Sequence, residues 1–200
     1  NQPGQSHAWI LRSPHAHAKL NAVDTTKADS APGVIAIFTG ADMAADGVGG
    51  LPCGWQIHKK DGSPMAEPGH PPLAVDKVRH VGDQIAIVIA ETRDQARDAA
   101  EMIAVDYGVL DAAINMDAAL AGNTLVHDDV PNNRCFDWEI GDKDATDAAF
   151  SNADHVVSID LANNRLIPNA MEPRAAISEF DRTTGRYTLH TPTQNPHVIR

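Results

Sequence analysis

Residues 84–110, QIAIVIAETRDQARDAAEMIAVDYGVL, constrain the fold of this 200-residue chain more than any other stretch. QIAIVIA is apolar at every position but the first, which suits a strand buried on both faces in the middle of a sheet. Thr92 then caps a helix, with Gln95 three residues on as in a capping box. Ala96, Ala99, Ala100 and Ile103 recur at helical spacing and give that helix one narrow face of small residues, able to sit close against a sheet. AVDYGVL resumes as a strand.

Around this core the same reasoning places further elements. AWILRS (8–13) and AKLNAV (18–23) read as strands, DTTKADSAP (24–32) as a short helix closed by Gly33, and VIAIF (34–38) as a buried strand. LAVDKVRHVG and QIAIVIAE read as two strands about the tight reversal Gly82-Asp83. Residues 40–72 are rich in Gly and Pro without an apolar period, which predicts a long surface excursion with one helical turn near Ala41. Residues 111–133 are acidic and loop-like, and a domain boundary is expected at about 112–132. Beyond it FDWEIGD (136–142) reads as a strand, DATDAAFSNA (144–153) as a helix, HVVSIDLANN (155–164) as a strand, and 174–194 as a hairpin turning at 181–185.

Composition narrows the function. With 16 Lys and Arg against 27 Asp and Glu, the net charge is −11, and the cations are scattered. Nucleic-acid binding needs clustered cations and is not expected. No stretch reaches the length of a membrane span, so a soluble, cytoplasmic protein is expected. Cys53 and Cys135 lack metal-knuckle or redox-pair spacing and are expected to be reduced thiols.

Few residues suggest chemistry. His15 and His17 would share a face of an extended segment and could hold a metal, yet a turn with two hydrogen-bonding imidazoles accounts for them better, and no metal site is assigned. The GVGG at 47–50 has no helix pattern after it. Gln194 stands out: TPTQNP places an amide at the exit of a strand, just ahead of a proline suited to the first turn of a helix. From the residues alone, an amide that satisfies the local backbone is the simpler reading.

In order along the chain, RSPHAHAKL, PGVIAIFTGADM, the block PPLAVDK to DYGVL (71–110), NRLIPNAMEPRAAISEFD and TPTQNPHVIR resemble the large subunit of the xanthine oxidase and aldehyde oxidase family of molybdenum hydroxylases, particularly those of the aerobic carbon monoxide dehydrogenase type. The resemblance implies an α+β fold: an α/β hammerhead domain over residues 1–112, a linker over 113–132, and the beginning of the molybdenum-cofactor domain over 133–200. It implies an N-terminal piece of a longer subunit that oxidises carbon monoxide, an aldehyde or an N-heterocycle by two electrons with water as oxygen donor. The cofactor would be molybdenum-molybdopterin; a 2Fe-2S small subunit and an FAD-binding medium subunit would carry electrons away, in a homodimer of heterotrimers.

The resemblance also assigns Gln194, in its TQNPH-like stretch, to donate its amide to the apical oxo group of molybdenum. The family's catalytic glutamate and its substrate-determining cysteine loop fall beyond residue 200, so no catalytic residue is assigned here. The 200 residues alone are expected to bind no cofactor and to be inactive. Glu172, within MEPR (171–174), fits the pattern with a structural role. A stand-alone hammerhead-type binding or assembly module without catalysis is the alternative reading.

Overall fold

The computed structural model describes residues 2–163 and 169–199, so part of NRLIPNAMEPR and the end of HVVSIDLANN lie outside the described residues. The chain forms two compact units, Asn1–Gly141 and Asp142–Arg200.

The first unit is built from two antiparallel three-stranded sheets. β1 (His7–Arg12) and β3 (Val34–Thr39) flank β5 (Gln84–Ala90), while β4 (Lys77–Val78) and β6 (Ala104–Val109) flank β2 (Ala18–Asp24). QIAIVIA is thus central, as its two apolar faces require. Its pleat divides the core: Ala86, Val88 and Ala90 meet a helix, whereas Ile85 joins Ala18, Ala74 and Val78 in a second cluster.

That helix, α3 (Arg93–Glu101), lays Ala96, Ala99 and Ala100 on β1 and β5, with Ile103 just past its end. Methyl-sized side chains let its backbone approach the sheet. A short α1 (Thr26–Asp29) adds Ala28 to the same cluster. α2 (Gly40–Ala45) supplies the helical turn expected near Ala41, and its start carries a reciprocal capping box between Thr39 and Asp42.

Gly82-Asp83 turns the chain as expected, but it does not join a hairpin. β4 and β5 belong to different sheets. Gly82 (φ 88°) donates its N–H to Ser13 O, and Ser13 donates back to Asp83 O, both at 2.8 Å, so the turn caps the bend between β1 and β2.

Residues 111–133 contain a short helix α4 (Met116–Ala121) and a 3-10 turn at Pro131–Asn133, and they pack on the first unit as a strap. Asn133, at φ 52°, organises it: its Nδ2 donates to Ala119 O and Thr124 O, and its Oδ1 accepts from Val126 N–H, all at 2.8 Å.

The second unit has α5 (Lys143–Ser151), capped by Asp142, a hairpin of β7 (Ile177–Asp181) and β8 (Arg186–His190), and a final turn α6 (Pro196–Ile199). The strand expected at 136–142 is irregular, and so are the described residues, 155–163, of the one expected at 155–164. Strand-like sequence forms a strand only where another backbone takes its N–H and C=O groups, and no described segment pairs with either. No helix among the described residues is long and apolar enough to cross a membrane.

Candidate functional site

Two polar constellations merit comparison, one in each unit. In the first, His17 is buried and its Nδ1 lies 2.7 Å from Asp111 O. A carbonyl only accepts, so Nδ1 donates, and Nε2 is buried without a partner among the described residues. Beside the strap, Lys77 is buried with its Nζ 3.0 Å from both carboxylate oxygens of Asp128, and Arg79 donates from Nε to Val126 O at 3.2 Å. Lys77 holds the Asp128 carboxyl below the usual carboxylate range. Burial, then the Arg79 charge, pushes the His127 imidazole below its ordinary value.

His15 instead stacks edge-on against Tyr107, ring centroids 4.7 Å apart. The two imidazoles of HAH therefore do different packing work, and among the described residues no three ligating side chains gather around a metal-sized space. The His17, Lys77 and Arg79 contacts fasten the strap to the sheets. Cys53 and Cys135 are free thiols.

In the second unit, the hairpin closes tightly at one end. Asp181 accepts Thr183 N–H at 2.8 Å and the Thr184 hydroxyl at 2.6 Å, while Gly185 takes φ 67°, which an L side chain resists. Those bonds, the Thr184 hydroxyl first, lower the Asp181 carboxyl. Phe180 and Tyr187 face each other across the ladder at 4.6 Å between ring centroids.

The other end is open. Past the Ile177–His190 pair, Thr191 Oγ1 donates to Ala175 O at 3.1 Å, which holds the two arms alongside one another for a further step. Pro192 cannot donate, and the arms part. Thr193 Oγ1 accepts Asn195 N–H at 3.0 Å, and Asn195 O accepts Val198 N–H at 3.1 Å, turning the chain into α6 at Pro196.

Glu172, Pro173 and Arg174 on one arm and Pro192, Thr193 and Gln194 on the other line a hollow of about 500 Å³. Among the described residues, the side chains of Glu172, Arg174 and Gln194 make no hydrogen bond or ion pair with the protein. Gln194 thus lines the hollow with no described bond to the local backbone. Sequence reading singled out Gln194 but missed Arg174 as its neighbour. The signal was available: extending the hairpin register outward sets residues 173–175 across from 192–194.

Comparison with known proteins also divides the chain in two, but earlier, within residues 111–133. Residues 1–111 match the family model for the aldehyde oxidase and xanthine dehydrogenase a/b hammerhead domain, and residues 126–200 match that for the molybdopterin cofactor-binding domain. The carbon monoxide dehydrogenase large chain of Afipia carboxidovorans is 33% identical over 99% of this chain and 25% of its own length. The nicotine 6-hydroxylase large subunit of Paenarthrobacter nicotinovorans is 32% identical over 100% of this chain and 24% of its own length. Among solved structures, reconstituted carbon monoxide dehydrogenase from Oligotropha carboxidovorans superposes with a TM-score of 0.83 at 32% identity, covering 100% of this chain and 25% of that one. Quinoline 2-oxidoreductase from Pseudomonas putida superposes with a TM-score of 0.78 at 30% identity, covering 97% of this chain and 24% of that one. The chain spans about a quarter of the length of these relatives. From the hammerhead match over more than half its length, the chain belongs to the aldehyde oxidase and xanthine dehydrogenase family.

Proposed function

We propose that this chain is part of the large subunit of a molybdenum hydroxylase, in which it forms the hammerhead domain and one wall of the molybdopterin site. Bound there, the cofactor supplies two-electron oxidation of an electron-poor carbon with water as the oxygen source. The residues of the second unit fit such a group: an unengaged amide, a guanidinium and a carboxylate converge on one hollow, and a molybdenum-pterin has oxo and phosphate acceptors as well as ring donors.

The observation that carries the proposal is Gln194. It lines the hollow, its side chain has no hydrogen-bond partner among the described residues, and it lies within the stretch that matches the cofactor-binding domain. An amide N–H aimed at an oxygen that gains negative charge during reaction binds it more tightly at the transition state than before, which is how a fixed donor accelerates a step.

Relatives matching over the same stretch are named for carbon monoxide, nicotine and quinoline. A segment shared at similar identity by enzymes named for such different molecules carries common machinery, so the substrate-selecting residues belong elsewhere in the subunit. The words "large chain" and "large subunit" in those names support smaller partners, for which we propose a 2Fe-2S subunit and an FAD subunit, two copies of each heterotrimer pairing. The domain arrangement we propose is hammerhead over 1–112, connection over 113–132 and cofactor domain from 133. Packing of the strap on the first sheets explains why the compact unit extends later, to Gly141.

The test is Gln194→Ala in the complete subunit. Hydrogen bonds to a charged group contribute about 1.5–3 kcal/mol, so turnover should fall roughly tenfold to a hundredfold while molybdenum content is kept. Wild-type turnover at full molybdenum content would make Gln194 a local structural residue.

A further inference from the structure

We infer that Arg174 is a second cofactor contact, one that takes the anionic phosphate end of the molybdopterin while Gln194 meets its metal end. The inference rests on the reading of the hollow as a molybdopterin site. It goes beyond that reading by assigning a residue for which neither the sequence pattern nor the resemblance supplied a role.

Four observations lead to it. Arg174 lines the same hollow as Gln194, on the opposite arm of the hairpin. Among the described residues its guanidinium has no carboxylate within ion-pair distance, although Glu172 lines the same hollow two residues away. Arg79 and Arg97 are engaged with aspartates close by in sequence, whereas Arg174 shares its lack of a described ion pair with surface arginines such as Arg182 and Arg186 and differs from them in lining the hollow. The position is also held in place: Pro173 restricts the backbone on one side, and the Thr191 hydroxyl bond to Ala175 O fixes the next residue on the other.

A planar fork of N–H donors on a restrained arm matches the oxygens of a phosphate monoester, which accept two parallel hydrogen bonds. Glu172 has the opposite chemistry. Its carboxylate repels phosphate and accepts from N–H groups, so within one hollow the two side chains favour a ligand that is anionic at one end and bears ring N–H donors at the other. A molybdopterin has both. Inorganic anions have only the first.

The experiment uses the complete subunit, purified as wild type, R174A, R174K and E172Q. Molybdenum is measured by mass spectrometry and pterin by the fluorescence of its oxidised product, per mole of protein, before and after gel filtration at low and high salt. Wild type retains both. R174A should lose cofactor roughly tenfold faster, since a bidentate charge-assisted contact is removed. R174K, which keeps the charge and loses the fork, should fall between the two and should lose more on raising salt than wild type. Because Arg174 is on the surface and bonded to nothing described, R174A should fold with an unchanged melting temperature. If R174A does not accumulate, R174K decides: retention equal to wild type at both salts overturns the inference. So does R174A retention equal to wild type. A wild-type subunit without molybdenum or pterin would instead sink the reading of the hollow itself, and with it any cofactor role for Arg174. E172Q keeps the shape of the hollow and removes the opposing charge: cofactor it loses at the ring end should be lost equally at low and high salt, whereas a salt-dependent loss like that of R174K would overturn the assignment of the phosphate end to Arg174.

Discussion

At the scale of single residues, Lys77 bears the clearest cost and compensation. Its side chain is 8% exposed, and Asp128, its partner 51 residues away, is 81% exposed, so one charge is stripped of water while the other keeps most of its hydration. Removing the hydrated partner leaves a buried ammonium uncompensated, whereas removing the buried charge does not. Thermal melting should therefore show Asp128→Asn lowering the unfolding temperature more than Lys77→Met, with the double variant resembling Lys77→Met. The pH dependence has a definite sign. Lys77 holds the folded Asp128 carboxyl below 3.8, so the stabilisation is complete above the unfolded value and is lost as pH falls through the folded one. Melting temperature should drop as pH falls below about 4, with part of that drop missing in Asp128→Asn. A lysine inside the apolar run LAVDKV is visible in sequence, but its partner is not, because a partner across the strap obeys no local spacing. His17 was legible to the same degree: its pairing with a neighbour was expected, while the neighbour, Asp111 O, was not.

Among elements, α3 was the most legible because its signals are local: a cap at Thr92, a small-residue face, and an end at Met102. That face is a fitted surface. Ala99→Leu should destabilise the first unit by about 1–3 kcal/mol through overpacking against β1 and β5, measured by denaturant unfolding. An equal stability would mean that α3 sits farther from the sheet than described. α2 has a stricter demand at its first residue, where a Cβ on Gly40 would lie 2.1 Å from Ala74 O, a backbone atom that cannot swing aside. Gly40→Ala should lower stability by about 2 kcal/mol, and retained stability would rule out that approach. The segments FDWEIGD and HVVSIDL show what local pattern misses. Alternation states which side chains would share a face, but strand formation waits on a partner that sequence distance does not name. The same gap hid the pairing of β4 with β2 in place of a β4–β5 hairpin.

For the whole molecule, order of elements was readable and sheet membership was not, since the crossing of the chain between two sheets depends on which strands meet in space. Family resemblance supplied what periodicity could not: the hammerhead fold, and the assignment of the second unit to a cofactor domain. The units differ in how they are held. The first has two buried clusters; in the second no described residue is buried, and Phe180, Tyr187 and Leu189 are more than half exposed. A two-stranded hairpin without cover is marginal by itself. Amides of 177–190 in the isolated 200 residues should exchange hydrogen faster than those of 85–101, and uniform protection would contradict the division into units. The central claim, that these units belong to a molybdenum hydroxylase, is tested most directly by metal analysis of the native complex purified through a tag on this chain. The account predicts one molybdenum per copy of the chain, and a folded, intact complex free of molybdenum would contradict it.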